Sequence, residues 1–231
     1  MVCEQPAFHD THPGIVNITG NWTRTASFEG HSVAYTKDIS VQDMINTVPE
    51  ERNRDPARIA RIVEALDIDL DWRMHIVSDG QRRRVQLLMG LMKVWDVLLL
   101  DEVTVDLDVV ARSNLLAYLD EECRERGATI VYATHIFDGL DRWATHIARI
   151  RKGELVQYGT VETYADLQAL LASGAKSPLL KTVTAWLREE KEVERAERAA
   201  RGDKEDVIDL KLNQYIEGSE FANNRHVNRT C

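Results

Sequence analysis

Two adjacent carboxylates and one histidine stand at the ends of two apolar segments in this sequence. Asp101 and Glu102 follow the segment VLLL (97–100), and His135 follows IVYAT (130–134). The carboxyl ends of parallel strands meet at one edge of a sheet, where open α/β proteins bind ligands. Carboxylates at such an edge can hold Mg²⁺ through water and accept a proton from an attacking water. A charged pair that simply leaves a sheet, and a structural histidine, are common alternatives.

A second candidate site is the segment VSDGQRRRVQ (77–86). Ser78 and Asp79 suit the N-cap of a helix, and Gly80 lets the backbone approach a ligand closely. The free N–H groups of a helix start can bind phosphate oxygens. Arg82–Arg84 occupy the first turn, where their charge opposes the helix dipole unless an anion is near. Taken alone, the segment favours a capped surface helix over an anion site.

The segments around these residues show two patterns of apolar residues, one typical of helices and one typical of buried strands. Apolar residues recur at helical spacing in 56–70 and 82–93, whereas 96–103 and 127–135 are nearly continuous apolar segments typical of strands buried on both faces. A helix is predicted between those strands, from Val109 to Arg126, because Gly127 follows. This order predicts an α/β fold with a parallel sheet and crossover helices.

The regions outside this core are predicted less regularly. Residues 1–57 hold turn signals between short apolar pieces, and residues 146–160 fit two short strands around a KGE turn. Helices are expected over 161–174 and 178–201; the charged end of the second favours a solvated helix, with a coiled-coil partner as the alternative. Polar residues dominate 202–231, which we expect to be largely disordered.

Composition excludes several classes of protein. The chain has 29 basic and 38 acidic residues, a net charge of −9, which gives it no general affinity for DNA or for anionic membranes. Its longest purely apolar segment is VLLL, too short to span a bilayer, and its start lacks the pattern of a secretory signal. Cys3, Cys123 and Cys231 are odd in number and far apart, which favours free thiols in a reducing compartment over a metal site. We expect a soluble cytoplasmic or nuclear protein.

Three segments, in this order, resemble one family. VSDGQ (77–81), VLLLDEVTVDLD (97–108) and IVYATH (130–135) resemble the signature motif, the Walker B motif with D-loop, and the switch histidine of ABC ATPases. The family signature is usually LSGGQ, from which Val77 and Asp79 depart. The resemblance covers residues 30–160. The amino-acid sequence around these segments most resembles a soluble branch of the family. That branch includes the fungal ABC ATPase associated with the Ccr4–Not complex.

The resemblance implies a role for each matching residue. Ser78, Gly80 and Gln81 would contact the γ-phosphate of ATP held by the opposite subunit, and Arg82–Arg84 would sit beside this phosphate-facing helix end. Asp108, in the D-loop, would help to align the two subunits.

Three further residues would serve the chain's own nucleotide. The resemblance implies that Asp101 organises the Mg²⁺ shell through water, that Glu102 polarises the attacking water, and that His135 grips the γ-phosphate. ATP and Mg²⁺ are therefore the implied cofactors.

The implied partner is a second copy of the chain or another ABC subunit, together with Ccr4–Not components. No direct contact with nucleic acid is expected. The implied process is regulation of transcription or mRNA turnover. Two alternatives stay open: the nucleotide-binding subunit of an ABC transporter, and a truncated interaction protein without enzymatic activity.

One motif that the family requires is missing. A P-loop has the pattern GxxxxGK[ST], and none of the 12 glycines in this sequence is followed by lysine. Near the position expected for the glutamine of the Q-loop, Glu29 to His31 contain no glutamine either. The sequence therefore predicts a chain that begins downstream of the P-loop and hydrolyses ATP negligibly by itself. A parallel sheet without its P-loop strand would also expose an apolar edge.

These observations predict four parts. Residues 1–57 would be the remnant of the amino-terminal ABC lobe, and 58–160 the signature, Walker B and switch-histidine part of the core. Residues 161–201 would form a helical extension and 202–231 a tail.

Overall fold

The computed structural model describes residues 14–19, 25–28, 31–34, 38–48 and 55–201. The chain divides into two compact units, residues 1–164 and 165–231. The predicted tail (202–231), Cys3 and Cys231 lie outside the described residues. The same holds for Glu29 and Gly30 of the segment expected to contain the glutamine, while His31 is described only as the first backbone position of a strand.

The described helices and strands alternate from α3 to β5 and occur in groups of like elements elsewhere. In chain order they are β1 (Ile15–Thr19), β2 (Thr25–Phe28), β3 (His31–Ala34), α1 (Val41–Thr47), α2 (Pro56–Ala65), α3 (Asp79–Leu91), β4 (Val97–Asp101), α4 (Val109–Arg126), β5 (Thr129–Ala133), β6 (His146–Arg151), β7 (Glu154–Thr160), α5 (Ala165–Ala172) and α6 (Pro178–Arg201). A short 3₁₀ turn, Val161–Thr163, follows β7.

A three-stranded parallel sheet forms the centre of the first unit, in the order β1-β4-β5. Its register aligns Thr19, Asp101 and Ala133, the last residues of the three strands. The predicted α/β class with a parallel sheet and crossover helices is confirmed. The aligned strand ends bring the residues that follow β4 and β5 to the same edge of the sheet.

The helix that precedes β4 and the one that follows it begin and end for local reasons. The helix predicted over 82–93 starts earlier, at Asp79, because Ser78 and Gln81 cap it reciprocally. The prediction for α4 is confirmed at both ends: Asp108 is its N-cap, and Gly127 ends it in the left-handed conformation at φ 66°.

The helix predicted over 56–70 is shorter than expected. Asp55 caps α2 and Pro56 occupies its first position, where its missing N–H costs nothing. The helix ends at Ala65, and Asp67 adopts φ 48°, a left-handed conformation that stops the helix. Leu66 is nevertheless fully buried, so the apolar pattern continues into the turn although the helix does not.

The core of the first unit lies where α1, α2, α3 and α4 pack with β4. Leu98 and Leu100 of β4 are buried, as are Leu88 and Leu91 of α3. Each such side chain contributes about 1.5–3 kcal/mol by leaving water. Trp95 is fully buried in the turn between α3 and β4.

A buried cluster of charges ties α2 to α4. The carboxylate of Glu122 lies 2.5 Å from Arg58 and 2.8 Å from Arg126, and the guanidiniums of both arginines lie over the ring of Trp95. Burial raises the pKa of Glu122, but hydrogen bonds from Arg126 and Arg58 outweigh it and lower the pKa overall. Because each charge has a partner, the cluster fixes the helices without a bare buried ion.

Strand β5 differs from its prediction. The sequence predicts a strand buried on both faces, yet the residues of β5 alternate between exposed and half-exposed, and Val131 is 55 % exposed. β5 is also the edge of the sheet among the described residues, so one side of its backbone has no neighbouring strand there. An exposed edge is a template for another strand.

The hairpin β6–β7 follows its prediction. The two strands pair antiparallel around Lys152 and Gly153, which have φ 50° and φ 82°. Two positive φ values in a two-residue turn match the right-handed twist of the strands. Ile150, Leu155 and Tyr158 are exposed on this hairpin.

The second unit contains α5 and α6. The charged end of α6, 188–201, is mostly exposed, which agrees with the predicted solvated helix. Each described helix falls short of the length or the apolar content that a membrane-spanning helix requires.

Candidate functional site

The carboxylates predicted to do chemistry lie at the carboxyl edge of the parallel sheet. Asp101 is the last residue of β4 and is exposed. Among the described residues, its carboxylate takes part in no hydrogen bond or ion pair. It is therefore available to a water molecule or a cation at the edge where α/β sheets bind ligands.

Glu102 is held in an unusual backbone conformation. Its φ is 52°, in the left-handed region that a residue with a Cβ atom adopts at a cost of about 1–3 kcal/mol. Its N–H donates to the carbonyl of Ala133, 3.0 Å away, which anchors the turn after β4 to the end of β5. The sheet thus fixes the direction in which the Glu102 side chain leaves the backbone.

His135 meets the carboxylate of Glu102. Its Nδ1 lies 2.7 Å from Oε2 of Glu102. The imidazole is 71 % exposed and the carboxylate 35 % exposed, so both remain within reach of a ligand. Oε2 of Glu102 is itself buried, and its contact with Nδ1 has an ion-pair distance without hydrogen-bond geometry.

These carboxylates suit a hard cation but do not enclose one. Oxygen ligands are what Mg²⁺ prefers, and it usually keeps several waters and binds one or two carboxylates together with substrate phosphates. Within the described ranges, no group of three or more His, Cys, Asp or Glu side chains is placed to hold a metal ion. Asp101 and Glu102 therefore fit a cation that arrives with its phosphate ligands.

The predicted signature residues form the start of α3. Oγ of Ser78 accepts from the Gln81 N–H at 3.2 Å, and Oε1 of Gln81 accepts from the Ser78 N–H at 2.9 Å. This capping box occupies the acceptor atoms of both side chains. The hydroxyl hydrogen of Ser78 and the side-chain amide of Gln81 can still donate, which is what an anion requires.

Gly80 lies at a close approach between two segments. A Cβ atom at this position would lie 3.1 Å from the carbonyl oxygen of Asp106. The start of α3 thus packs directly against the backbone of the loop between β4 and α4.

The three consecutive arginines have carboxylate partners within the chain. Arg82 lies 2.8 Å from Asp79, Arg83 lies 3.3 Å from Asp106, and Arg84 contacts both Asp67 and Asp108. Acidic groups of this chain therefore offset the charge that opposes the helix dipole. The place of the arginines beside a phosphate-facing helix end stays a prediction.

Asp108 caps α4 and is paired at the same time. Its Oδ1 accepts from the N–H groups of Val110 and Ala111, both at 2.9 Å. Its Oδ2 contacts Arg84. The hydrogen bond from Ala111, followed by that from Arg84, lowers the pKa of Asp108. The role in subunit alignment stays a prediction, and within one chain Asp108 is a cap.

The structure brings the predicted residues together in two groups. Glu102 meets His135, and the start of α3 meets the loop that contains Asp106 and Asp108. Among the described residues, no hydrogen bond or ion pair joins Ser78 or Gln81 to Glu102 or His135. One chain therefore presents two separate surfaces.

Two buried side chains of α3 hold the end of β1, and the sequence analysis did not predict this contact. Arg83 and Gln86 are both buried, and both donate to the carbonyl of Thr19, at 3.2 and 3.1 Å. The one signal in the sequence is Gln86, a polar residue among the apolar positions of α3.

Three curated relatives are similar to the chain. ABC transporter I family member 20 of Arabidopsis thaliana is 47 % identical over 204 residues, covering 87 % of this chain and 59 % of the relative. Member 21 is 49 % identical over 200 residues, covering 84 % and 67 %. CCR4-associated factor 16 of Saccharomyces cerevisiae is 50 % identical over 126 residues, covering 54 % and 43 %. The chain spans about half to two thirds of the length of these relatives. A scan against protein-family models gives no match.

The fold is similar to a solved ATP-binding subunit of an ABC transporter. The two share a TM-score of 0.55 at 16 % identity, over 76 % of this chain and 69 % of the solved one. At that identity the similarity supports the fold alone. It agrees with the parallel sheet and its crossover helices.

Proposed function

The chain belongs to the ABC ATPase family, and from that premise we propose that it presents a signature motif and a D-loop to ATP held by another subunit. Ser78, Gly80 and Gln81 would donate to the γ-phosphate across the interface, and Asp108 would help to align the two subunits. The proposed partner is a second copy with an intact P-loop or another ABC subunit.

One observation carries this proposal. The start of α3 has unused donors on Ser78 and Gln81, yet it is not bonded to the Glu102–His135 pair of the same chain. A helix start with free donors is suited to a phosphate. Two surfaces that do not converge within one chain fit a site that two subunits complete.

The second surface would act only when a phosphate cradle is supplied. Asp101 would hold Mg²⁺ through water, Glu102 would accept a proton from the attacking water, and His135 would donate to the γ-phosphate. Bound Mg²⁺ would neutralise charge on the phosphates. The 231 residues contain no GxxxxGK[ST] segment, so the cradle must come from outside them.

The exposed edge of β5 supports the proposal that a phosphate-binding loop is supplied from outside these residues. A parallel strand added beside β5 would end next to Glu102 and His135. A phosphate-binding loop after that strand would then lie where the carboxylate and imidazole can act.

The cellular role is proposed from one relative. The name CCR4-associated factor 16 supports an association of this chain with Ccr4–Not components. A cytoplasmic and nuclear location is part of the same proposal. The plant relatives are named ABC transporter family members, which supports the alternative of a transporter subunit. Copurification of the tagged chain with a multi-span membrane protein would favour that alternative.

The test is complementation of an ATP site. MgATP hydrolysis is measured for the purified chain, for an ABC subunit that has an intact P-loop but a disabled signature, and for their mixture. We expect negligible turnover from each alone and restored turnover from the mixture. Glu102→Gln in this chain should leave the restored turnover unchanged, because the partner supplies its own carboxylate.

Two results would contradict the proposal. Turnover by the chain alone that Glu102→Gln abolishes would mean that it holds ATP without a P-loop. A mixture that associates without any gain in turnover would mean that the chain is an interaction protein without a role in catalysis.

A further inference from the structure

One arginine in the second turn of α3 joins three elements of the first unit. Arg84 donates through Nη1 to the carbonyls of Leu66 and Asp67, at 3.2 and 3.0 Å, and through Nη2 to the carboxylate of Asp108. It is 16 % exposed, so the ion pair is partly shielded from water. The end of α2, the body of α3 and the start of α4 therefore meet at one guanidinium.

Its contacts with α2 are those of a C-terminal cap. The carbonyl oxygens after the last turn of a helix lack intrahelical donors, and the helix dipole places negative charge there. Arg84 satisfies two of these oxygens in the turn that Asp67 closes at φ 48°. This half of the contact fixes the side chain on a rigid element.

Its contact with Asp108 has a different consequence. Oδ1 of Asp108 already holds the first turn of α4, and Oδ2 is the oxygen that faces Arg84. Movement of Arg84 would therefore pull on the cap of α4 and on the loop before it. That loop also carries Asp106, whose carbonyl is the close neighbour of Gly80.

We propose that Arg84 is a positioning residue that locks the D-loop to the signature helix, so that Asp108 and Ser78 reach a partner's nucleotide as one unit. This inference rests on the proposed function of that surface. A lysine cannot replace the arginine, because one ammonium cannot bond the α2 carbonyls and the Asp108 carboxylate at once, whereas the guanidinium fork can.

Arg82 provides a matched control on the same helix. It pairs with Asp79 three residues earlier and is 36 % exposed, so its contact stays within the start of α3. Arg82→Lys changes the same chemical group two residues away without touching α2 or α4.

The first experiment requires no nucleotide. Hydrogen–deuterium exchange is measured on the wild-type chain, Arg84→Lys and Arg82→Lys, in peptides that cover residues 104–111. We expect Arg84→Lys to speed exchange there about tenfold, because the amides of Val110 and Ala111 are held by the carboxylate that Arg84 fixes. Arg82→Lys should stay within about twofold of wild type. Equal exchange in both variants would overturn the proposal.

A fold check separates local from global effects. Arg84→Lys should keep the far-UV circular dichroism spectrum and a cooperative melt. If it does not, Asp108→Asn replaces it in the exchange experiment, because asparagine retains the N-cap while losing the charge that faces Arg84. Unchanged exchange in residues 104–111 of that folded variant would overturn the proposal.

The second experiment is a double-mutant cycle on MgATP-dependent association with the P-loop subunit. We expect Arg84→Lys and Asp108→Asn each to weaken association about five- to tenfold, and the double variant to lose no more than either alone. Asp67→Asn should have little effect, because that carboxylate is 89 % exposed. Losses that multiply in the double variant would mean that Arg84 and Asp108 act separately, which would overturn the proposal.

The two experiments distinguish two kinds of failure. If the wild-type chain shows no MgATP-dependent association, the proposed function fails. The exchange experiment then still decides whether Arg84 locks the D-loop.

Discussion

Two helices of this chain begin with the same kind of N-terminal capping box but have different neighbours. Ser40 caps α1 and Ser78 caps α3, and each serine forms a capping box with the residue three positions later, Asp43 or Gln81. The bonds have similar geometry, since the N–H of Asp43 lies 3.0 Å from Oγ of Ser40 and that of Gln81 lies 3.2 Å from Oγ of Ser78. A cap alone therefore does not identify a ligand site.

The difference lies in the first turn. In α1 the reciprocal partner is the carboxylate of Asp43, which already places negative charge at the helix start. In α3 the partner is the neutral amide of Gln81, and the acidic residue of the first turn, Asp79, is paired with Arg82. The residue two positions after the cap is Gln42 in α1, whose N–H donates to the carbonyl of Leu70 at 3.0 Å, and Gly80 in α3, where a Cβ atom would meet the carbonyl of Asp106.

This comparison teaches that a helix start becomes a candidate site through its neighbours. Ser78 stands beside the loop that contains Asp108, which is tied to the same helix through Arg84. Ser40 stands beside Arg73 and Asp38, an exposed pair. The start of α1 is therefore an internal control for the start of α3.

The largest effect on association with the partner is expected from substitution of Gly80. Gly80→Ala should weaken MgATP-dependent association with the P-loop subunit about tenfold, because the new Cβ atom would meet the Asp106 carbonyl at 3.1 Å and push the two loops apart. Gln42→Ala, at the equivalent position of α1, should leave association unchanged. Light scattering or sedimentation with and without MgATP measures both. Equal behaviour of the two variants would remove the distinction between the helix starts.

Substitution of the two capping serines should distinguish an effect on folding stability from an effect on association with the partner. Ser78→Ala and Ser40→Ala should each lower the free energy of unfolding by about 1 kcal/mol, because each removes one N-cap. Only Ser78→Ala should also weaken association, since it removes a hydroxyl donor from the proposed phosphate contact. Urea denaturation measures the first effect and titration with the partner in MgATP the second. If Ser40→Ala weakens association equally, the loss is one of stability alone.

The smallest effect is a pH dependence that only α1 should show. Hydrogen bonds from the side chain and then the backbone of Ser40 lower the pKa of Asp43 from 3.8. A carboxylate with a lowered pKa stabilises the folded chain above its unfolded value, and this stabilisation is lost as pH falls through the folded value. Between neutral pH and values below 3.8, the Ser40 amide should lose protection.

Nuclear magnetic resonance of the Asp43 carboxyl carbon and the Ser40 amide measures this change. Asp43→Asn should abolish it, since no proton is then taken up. The Ser78–Gln81 bonds contain no titrating group and should show no equivalent midpoint of their own. A carboxyl midpoint at or above 3.8 would contradict the expected direction.

Much of the fold was predictable because its signals are local. Asp108 and Gly127 fix the two ends of α4 through their own backbone and side-chain preferences, and the predicted bounds are those observed. The turn at Lys152 and Gly153 is equally local. The apolar pattern of 56–70 predicts the buried face of α2 but overruns its end, because the pattern continues into the turn at Asp67.

The residues of the candidate site were predictable from the sequence, but the contacts between them were not. Asp101, Glu102 and His135 follow from strands that end in polar residues. The 2.7 Å contact between Glu102 and His135 depends on the register between β4 and β5. The ion pairs of the arginines were not predictable, because the sequence does not reveal that Asp67, Asp106 and Asp108 converge on them.

The sequence by itself determined the family motifs, the order of helices and strands over residues 56–160 and the absence of a GxxxxGK[ST] segment, because each is a matter of residue type and spacing along the chain. Only the tertiary structure decided which charges pair, that β5 is exposed and that two surfaces stay separate. Those outcomes depend on residues distant in sequence that the parallel register and the packing of α3 against the D-loop bring together.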